Sequence, residues 1–285
     1  MYFIIYIVFK FKKNQLNKIK YKTYYCILFI ISKLFLKGDL MDDLNGNNLE
    51  LETLSYESGG FISANRNIFN NINLSGNSRF ILNQAIKGTP MIRIGNGYPK
   101  VMIVAGVHGN ELAPQIAALN LIENIFDLEL NGTVYIIPFA SPKSTMDNSR
   151  YFDGIDLNRS AHLPHSITNI ILKKAKELEV SAIGDFHSSA PNSNPGKEGV
   201  FCTQKPCNGS FYIADYISKK VGSEKIIYPV AGIPFKGALE DEANLGQIPS
   251  VTCEVLSAIG YSNEKICKRS YLQMKAFLEY FGIID

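Results

Sequence analysis

The chain has 285 residues, 46% of them hydrophobic and 19% charged, which suits one large or two small globular domains with a sizeable buried core. Its net charge of +3 is concentrated at one end: residues 1–40 hold eight Lys and one Asp, a net of +7, which leaves −4 for the rest. A mildly acidic body excludes the basic face of a nucleic-acid binder, and five cysteines with no CxxC pair point away from a zinc knuckle or a disulfide framework and toward a reducing cytoplasm.

Residues 1–40 differ in kind from the remainder. Of these 40 residues, 32 are Ile, Lys, Asn, Phe, Tyr or Leu. AT-rich codons encode those amino acids, so the segment reads as a mis-annotated start, with the true start at Met41. The rival reading is an N-terminal membrane anchor. Tyr24 to Leu36 is largely apolar but runs for only thirteen residues, and a bilayer span needs about 20. No signal-peptide pattern is present, because an apolar stretch precedes the lysines. A Met41 start implies a cytoplasmic protein with no membrane contact; the anchor reading applies only if residues 1–40 are real.

Residues 41–87 read as an extension of loops and short strands, Phe61-Ile-Ser and Phe80-Ile-Leu among them. Residues 88–285 read as the main domain. Thr89 to Gly95 and Lys100 to Val107 look like two strands of a hairpin across the turn Gly95-Asn-Gly-Tyr-Pro. The second strand runs into His108-Gly-Asn-Glu111, and a helix is expected from Asn110 to about Phe126. His108 and Glu111 are three residues apart at the mouth of that helix, so both can face one point. That point lies past the carboxyl end of a strand, where open α/β sheets place ligands. An imidazole and a carboxylate are two of the three protein ligands of a catalytic zinc. Alone, the pattern is weak and reads first as a helix cap with an acid at its N-terminus.

Thr133 to Ala140 reads as a central strand. The loop from Ser141 to Arg159 follows, with Arg150 and Arg159 offering planar forks for a carboxylate or an oxyanion; the plain alternative is two solvated surface arginines. His162 and His165 flank Pro164 and read as loop residues rather than a metal pair. Ser166 to Leu178 reads as a helix. Val180 to Ser189 is a strand carrying His187 near its end. If the strands are parallel, His108 and His187 reach the same sheet edge. Val200-Phe-Cys-Thr is a short strand and Gly209 to Val221 a helix. The acidic stretch Gly237 to Gly246 reads as a loop beside a cleft or a solvated surface. Pro249 to Ser257 is the last strand, and Ser262 to Tyr280 closes the chain as an amphipathic helix. Glu254 inside that strand is costly to bury unless paired or functional. Burial raises its pKa toward neutrality, which suits a general base. Cys253 beside it points into the core. The alternation of strands and helices indicates an α/β protein.

Taken together, His108-Gly-Asn-Glu111, Arg150-Tyr151, Asp156-Leu-Asn158-Arg159, Asp185-Phe-His187 and Glu254 resemble the succinylglutamate desuccinylase/aspartoacylase family, a branch of the zinc carboxypeptidase-like hydrolases. Five blocks in order, over roughly residues 88 to 256, carry the resemblance. It implies a three-layer α/β sandwich with a mixed, largely parallel central sheet. It implies one Zn2+ per chain on His108, Glu111 and His187, with Glu254 as general base. Arg150 would polarise the scissile carbonyl, and Asn158 and Arg159 would hold a substrate carboxylate, with Tyr151 as a further substrate contact. Asp156 is a candidate to orient a ligand histidine. Several family members carry a C-terminal β-domain that narrows the entrance. Only 31 residues follow Glu254 here, so a more open pocket is expected.

The resemblance implies a zinc amidohydrolase that cleaves an N-acyl amino acid or related carboxylate-bearing amide. One alternative is a zinc carboxypeptidase acting on peptides or cell-wall peptides with the same ligands and base. Another is a catalytically silent binding protein on this fold, which predicts the loss of a ligand or the base. No GxxxxGK[ST] or GxGxxG follows a strand, so a P-loop or dinucleotide enzyme is disfavoured.

Overall fold

The computed structural model describes residues 50–285. The start at Met41 and the anchor alternative for residues 1–40 lie outside the described residues. The strands are Glu50–Thr53 (β1), Pro90–Asn96 (β2), Lys100–Ala105 (β3), Gly132–Ile137 (β4), Tyr151–Phe152 (β5), Ile155–Asp156 (β6), Ala182–Ser189 (β7), Gly199–Lys205 (β8), Glu224–Val230 (β9) and Ser250–Leu256 (β10). The α-helices are Arg66–Phe69 (α1), Gly76–Ala85 (α2), Leu112–Ile125 (α3), Pro142–Met146 (α4), Ile167–Glu177 (α5), Gly209–Val221 (α6), Leu239–Leu245 (α7) and Glu264–Tyr280 (α8).

Eight strands make one mixed sheet in the order β1-β2-β4-β3-β7-β10-β8-β9. The joins β4/β3, β3/β7, β7/β10 and β8/β9 are parallel, and the other three are antiparallel. Side chains alternate across the sheet. Val101, Ile103 and Ala105 of β3 pack with α3, α6 and α8 in one core, while Met102 and Val104 pack with α5 and α7 in another. Helices thus cover both faces, which is why β3 and β4 read as unbroken apolar runs. The result is the expected three-layer α/β architecture.

The connections set the site. From β3 the chain passes through α3 to β4 on one side, and later reaches β7 on the other side of β3. The strand order therefore reverses between β3 and β7. A crevice opens at such a switch point, outside the carboxyl ends of the strands.

Three local expectations give way to longer-range packing, and one further strand had no local signal. β2 and β3 do not form a hairpin: β4 lies between them, antiparallel to β2 and parallel to β3. Residues around Phe80 are helical in α2, because Ser75 accepts the Ser78 N–H as a cap and Ile81 and Ala85 bury at a four-residue spacing. The acidic stretch is the helix α7, with Leu239 and Ala243 in the core. The strand β9, not anticipated at all, pairs in parallel with β8 at the sheet edge. Among the described residues, no helix is long and apolar enough to cross a membrane.

Candidate active site

The turn between β3 and α3 is locked from three directions. Gly106 adopts φ +74°, a left-handed conformation that glycine adopts without a Cβ penalty. Gly109 lies against α4, where an added Cβ would sit 2.0 Å from the Ser144 carbonyl carbon. Gln115, fully buried in the first turn of α3, donates through Nε2 to the carbonyls of Glu111 at 2.9 Å and Gly109 at 3.2 Å. Its own Oε1 accepts from Thr145 Oγ1 at 2.8 Å. Glu111 stands at the N-cap position of α3 without capping it, so its carboxylate is free to face the crevice.

That carboxylate is the centre of the site. Glu111 Oε1 lies 2.8 Å from His108 Nδ1, and Glu111 Oε2 lies 2.8 Å from His187 Nδ1. The Ser188 backbone N–H donates to Oε2 at 3.0 Å. One ligand atom from each of the three buried residues falls within 4.8 Å of the others. Each outward nitrogen has a carboxylate beside it: His108 Nε2 is hydrogen-bonded to Asp156 Oδ1 at 3.0 Å, and His187 Nε2 lies 3.0 Å from Asp185 Oδ2 as a close ion-pair contact. A carboxylate behind each ring fixes its orientation and leaves Nδ1 for the centre, which is the arrangement that metal-ligating histidines require. Two imidazoles and a carboxylate suit zinc better than a hard cation. The donor set therefore fits a zinc ion.

The charges are strongly coupled. Burial pushes the Glu111 carboxyl up, but His108 and His187 outweigh it and hold the pKa well below the ordinary range. Burial favours neutral His187, yet Asp185 and Glu111 raise it well above its usual value. Asp156 is depressed because its bond to His108, with Arg150 beside it, overcomes partial burial. Glu254 goes the other way: burial, with Glu111 and Asp185 adding repulsion, raises it to about 8 against the pull of His187 and Arg150.

The remaining residues singled out in the sequence divide between the cavity and its surroundings. Arg150, half-buried, donates from Nε to Asp156 Oδ2 at 3.1 Å and lies 3.7 Å from Glu111 Oε1. Glu254 is paired in register with His187 across the parallel β7/β10 join, so both face the same side. Its Oε2 is buried without a hydrogen-bond partner. Arg150, Asn158, Arg159 and Glu254 all line one cavity of about 110 Å³ with His108 and Glu111. Tyr151 is not part of that lining, and its ring is exposed on the β5–β6 hairpin. His162 and His165 are exposed in the loop before α5 and away from the cluster. Cys253 is buried in the core on the opposite face from Glu254.

Two residues escaped the sequence reading. Asp185 was seen only as part of a block, although its spacing of two from His187 on a strand puts both on one face. Glu240, in the stretch expected to be a loop, is buried in α7 and lines the same cavity. No local signal marks it, because its exposure depends on how α7 docks against the sheet.

Residues 97–190 match the model of the succinylglutamate desuccinylase/aspartoacylase catalytic domain. No curated protein sequence matches significantly. Among solved structures, the succinylglutamate desuccinylase/aspartoacylase from Rhodobacter sphaeroides is 18% identical with a TM-score of 0.55, over 71% of this chain and 62% of its own. The product-bound ectoine utilization protein EutE (DoeB) from Ruegeria pomeroyi is 17% identical with a TM-score of 0.57, over 71% and 64%. The product-bound cell shape determinant protein Csd4 from Helicobacter pylori is 14% identical with a TM-score of 0.54, over 68% and 55%. This chain spans less than two thirds of the length of each. The likeness establishes the zinc-carboxypeptidase-like fold, and the family match bears out the resemblance over the four sequence blocks from His108 to His187, while Glu254 lies outside the matched residues.

Proposed function

We propose that this chain, which matches the succinylglutamate desuccinylase/aspartoacylase catalytic-domain model over residues 97–190, is a zinc-dependent amidohydrolase of N-acyl amino acids or related carboxylate-bearing amides. The observation that carries the reading is the convergence of His108 Nδ1, His187 Nδ1 and the Glu111 carboxylate, beside a cavity that His108 and Glu111 line together with Glu254 and Arg150. His108, Glu111 and His187 would hold the metal. When bound, zinc supplies Lewis acidity that makes water a nucleophile near neutral pH.

The chain's own residues do the rest. Glu254, with its unpaired Oε2 in the cavity, takes the proton from water and passes it to the departing amine nitrogen. Arg150 donates hydrogen bonds to the carbonyl oxygen as it gains negative charge. Arg159 and Asn158 hold the substrate carboxylate and fix the scissile bond relative to Glu254. The four cysteines among the described residues are buried and free, which suits a cytoplasmic setting.

Two assays test this reading. The purified full chain should hold about one zinc, lost in His187→Ala. It should also release the free amino acid from a panel of N-acetyl and N-succinyl amino acids. Turnover of dipeptides in place of the acyl amino acids would favour the carboxypeptidase alternative. A folded protein that takes up no zinc when it is supplied would sink the hydrolase reading and leave a binding protein.

A further inference from the structure

Glu240 is the one buried carboxyl of the cavity that the proposed chemistry leaves unused. It is 1% exposed yet forms part of the cavity wall. Its hydrogen bonds come from the Tyr228 hydroxyl, which reaches both carboxylate oxygens, and from Asn244 Nδ2 at 2.7 Å. Both partners are neutral. Among the described residues no lysine or arginine pairs with it, and the charged groups nearest to it in effect, Asp241 and Asp185, are acids. A buried carboxylate without a counter-cation is expensive. Burial and those two acids accordingly push its pKa well above the ordinary value.

The wall beside it is aromatic. Phe201 and Phe235 line the same cavity. The Phe235 ring packs edge-on against Phe201 at 5.4 Å and against Tyr228 at 5.3 Å between centroids. The Arg159 guanidinium lies over the same ring, 6.0 Å from its centroid. The Phe235 ring is therefore a shared neighbour of Arg159, the group assigned to a substrate carboxylate, and of Tyr228, the partner of Glu240. An alkylammonium group entering beside these rings gains from the ring faces and supplies the counter-charge that would hold the Glu240 carboxyl in its ionised form. A hydrocarbon side chain would match the rings but leave the carboxyl without a counter-charge.

We propose that Phe201, Phe235 and Glu240 form a subsite for the side chain of the carboxylate-bearing amino acid, and that this side chain ends in an ammonium group. The inference rests on the reading of Arg159 and Asn158 as the carboxylate clamp. A purely structural Glu240, tying α7 to β9, would show no preference between charged and uncharged side chains of equal length.

L-lysine and L-norleucine make that comparison, since norleucine matches most of the lysine side chain without the ammonium group. Their binding to the zinc-supplied full chain is measured by calorimetry, which needs no turnover. Lysine should bind at least tenfold more tightly than norleucine. Glu240→Gln should bring the two within threefold, with zinc content and circular dichroism unchanged. Phe235→Leu, at a less buried position, should narrow the gap by severalfold and serves as the second variant if Glu240→Gln does not fold. Equal binding of both amino acids to the wild type, lost together in Arg159→Ala, would overturn the ammonium subsite and leave the carboxylate clamp standing. Failure of both to bind the zinc-containing wild type would overturn the clamp and the subsite together.

Discussion

Asp185 and His187 stand on the same face of β7, with Asp185 Oδ2 3.0 Å from His187 Nε2. The pair mirrors Asp156 and His108, whose Oδ1 to Nε2 distance is also 3.0 Å, across the shared Glu111. Each ring thus has a carboxylate behind it and faces the centre through Nδ1. Outer partners of this type typically change metal affinity by about 10- to 100-fold. Asp185→Asn should weaken zinc binding by that order, measured by competition with a chromogenic chelator, while His187→Ala should abolish it. Unchanged affinity in Asp185→Asn would show that the carboxylate does not support the ligand.

Glu254→Gln keeps the size of the side chain but removes its ability to take a proton. General-base contributions are typically about 10²- to 10⁴-fold. The variant should lose kcat by that order on whichever acyl amino acid the wild type cleaves, with zinc content unchanged. Retained turnover would assign the base elsewhere.

Gln115 joins the first turn of α3 to the loop that carries both His108 and Glu111. Gln115→Leu would leave the buried carbonyls of Glu111 and Gly109 and the hydroxyl of Thr145 without this partner. Leaving a buried polar group unsatisfied costs about 1–3 kcal/mol. Urea unfolding should show a loss of at least that size, accompanied by weaker zinc binding. Loss of stability with intact zinc affinity would mean that the loop keeps its shape without Gln115.

Gly109→Ala tests the same loop from the side of α4. The new methyl group would fall 2.0 Å from Ser144 backbone carbon, and neither backbone can yield cheaply. The turn must move, and the His108–Glu111 spacing with it. A folded variant by circular dichroism with little or no bound zinc is the expected outcome. Wild-type zinc content would show that the turn tolerates the displacement.

A pH effect on stability is expected away from the site. Partial burial raises the Glu198 carboxyl, but hydrogen bonds from Arg269 and Ser223 outweigh it and lower its pKa. A carboxyl lowered on folding contributes stability that is fully present above its unfolded pKa, about 4.3, and is lost as pH falls through the lower folded value. Arg269→Gln should therefore be less stable than wild type at pH 7, and the difference should shrink below about pH 4. Parallel urea curves at pH 7 and pH 3.5 read this directly. A difference that does not change with pH would assign the loss to the Arg269 contact with the Val221 carbonyl.

Several parts of this protein are written locally. The apolar runs of β3, β4, β7 and β10 and the periodicity of α3, α5 and α8 read directly as strands and helices. Each periodicity depends on residues within a few positions of one another. His108, Glu111, His187 and Glu254 stand out for the same reason: polar groups at the ends of, or inside, buried runs carry a cost that chemistry explains.

The tertiary structure alone decided which strands are neighbours and which polar groups meet. The insertion of β4 between β2 and β3 requires a crossover, and no turn residue records it. The grip of Asp156 on His108 spans 48 positions, and the contact of Glu111 with His187 spans 76. Glu240 became a cavity wall only because Leu239 and Ala243 dock α7 on the sheet. Local sequence sets backbone preference and burial tendency within one element. The meeting of side chains from different elements depends on strand order and helix docking, which the packing of the whole chain determines.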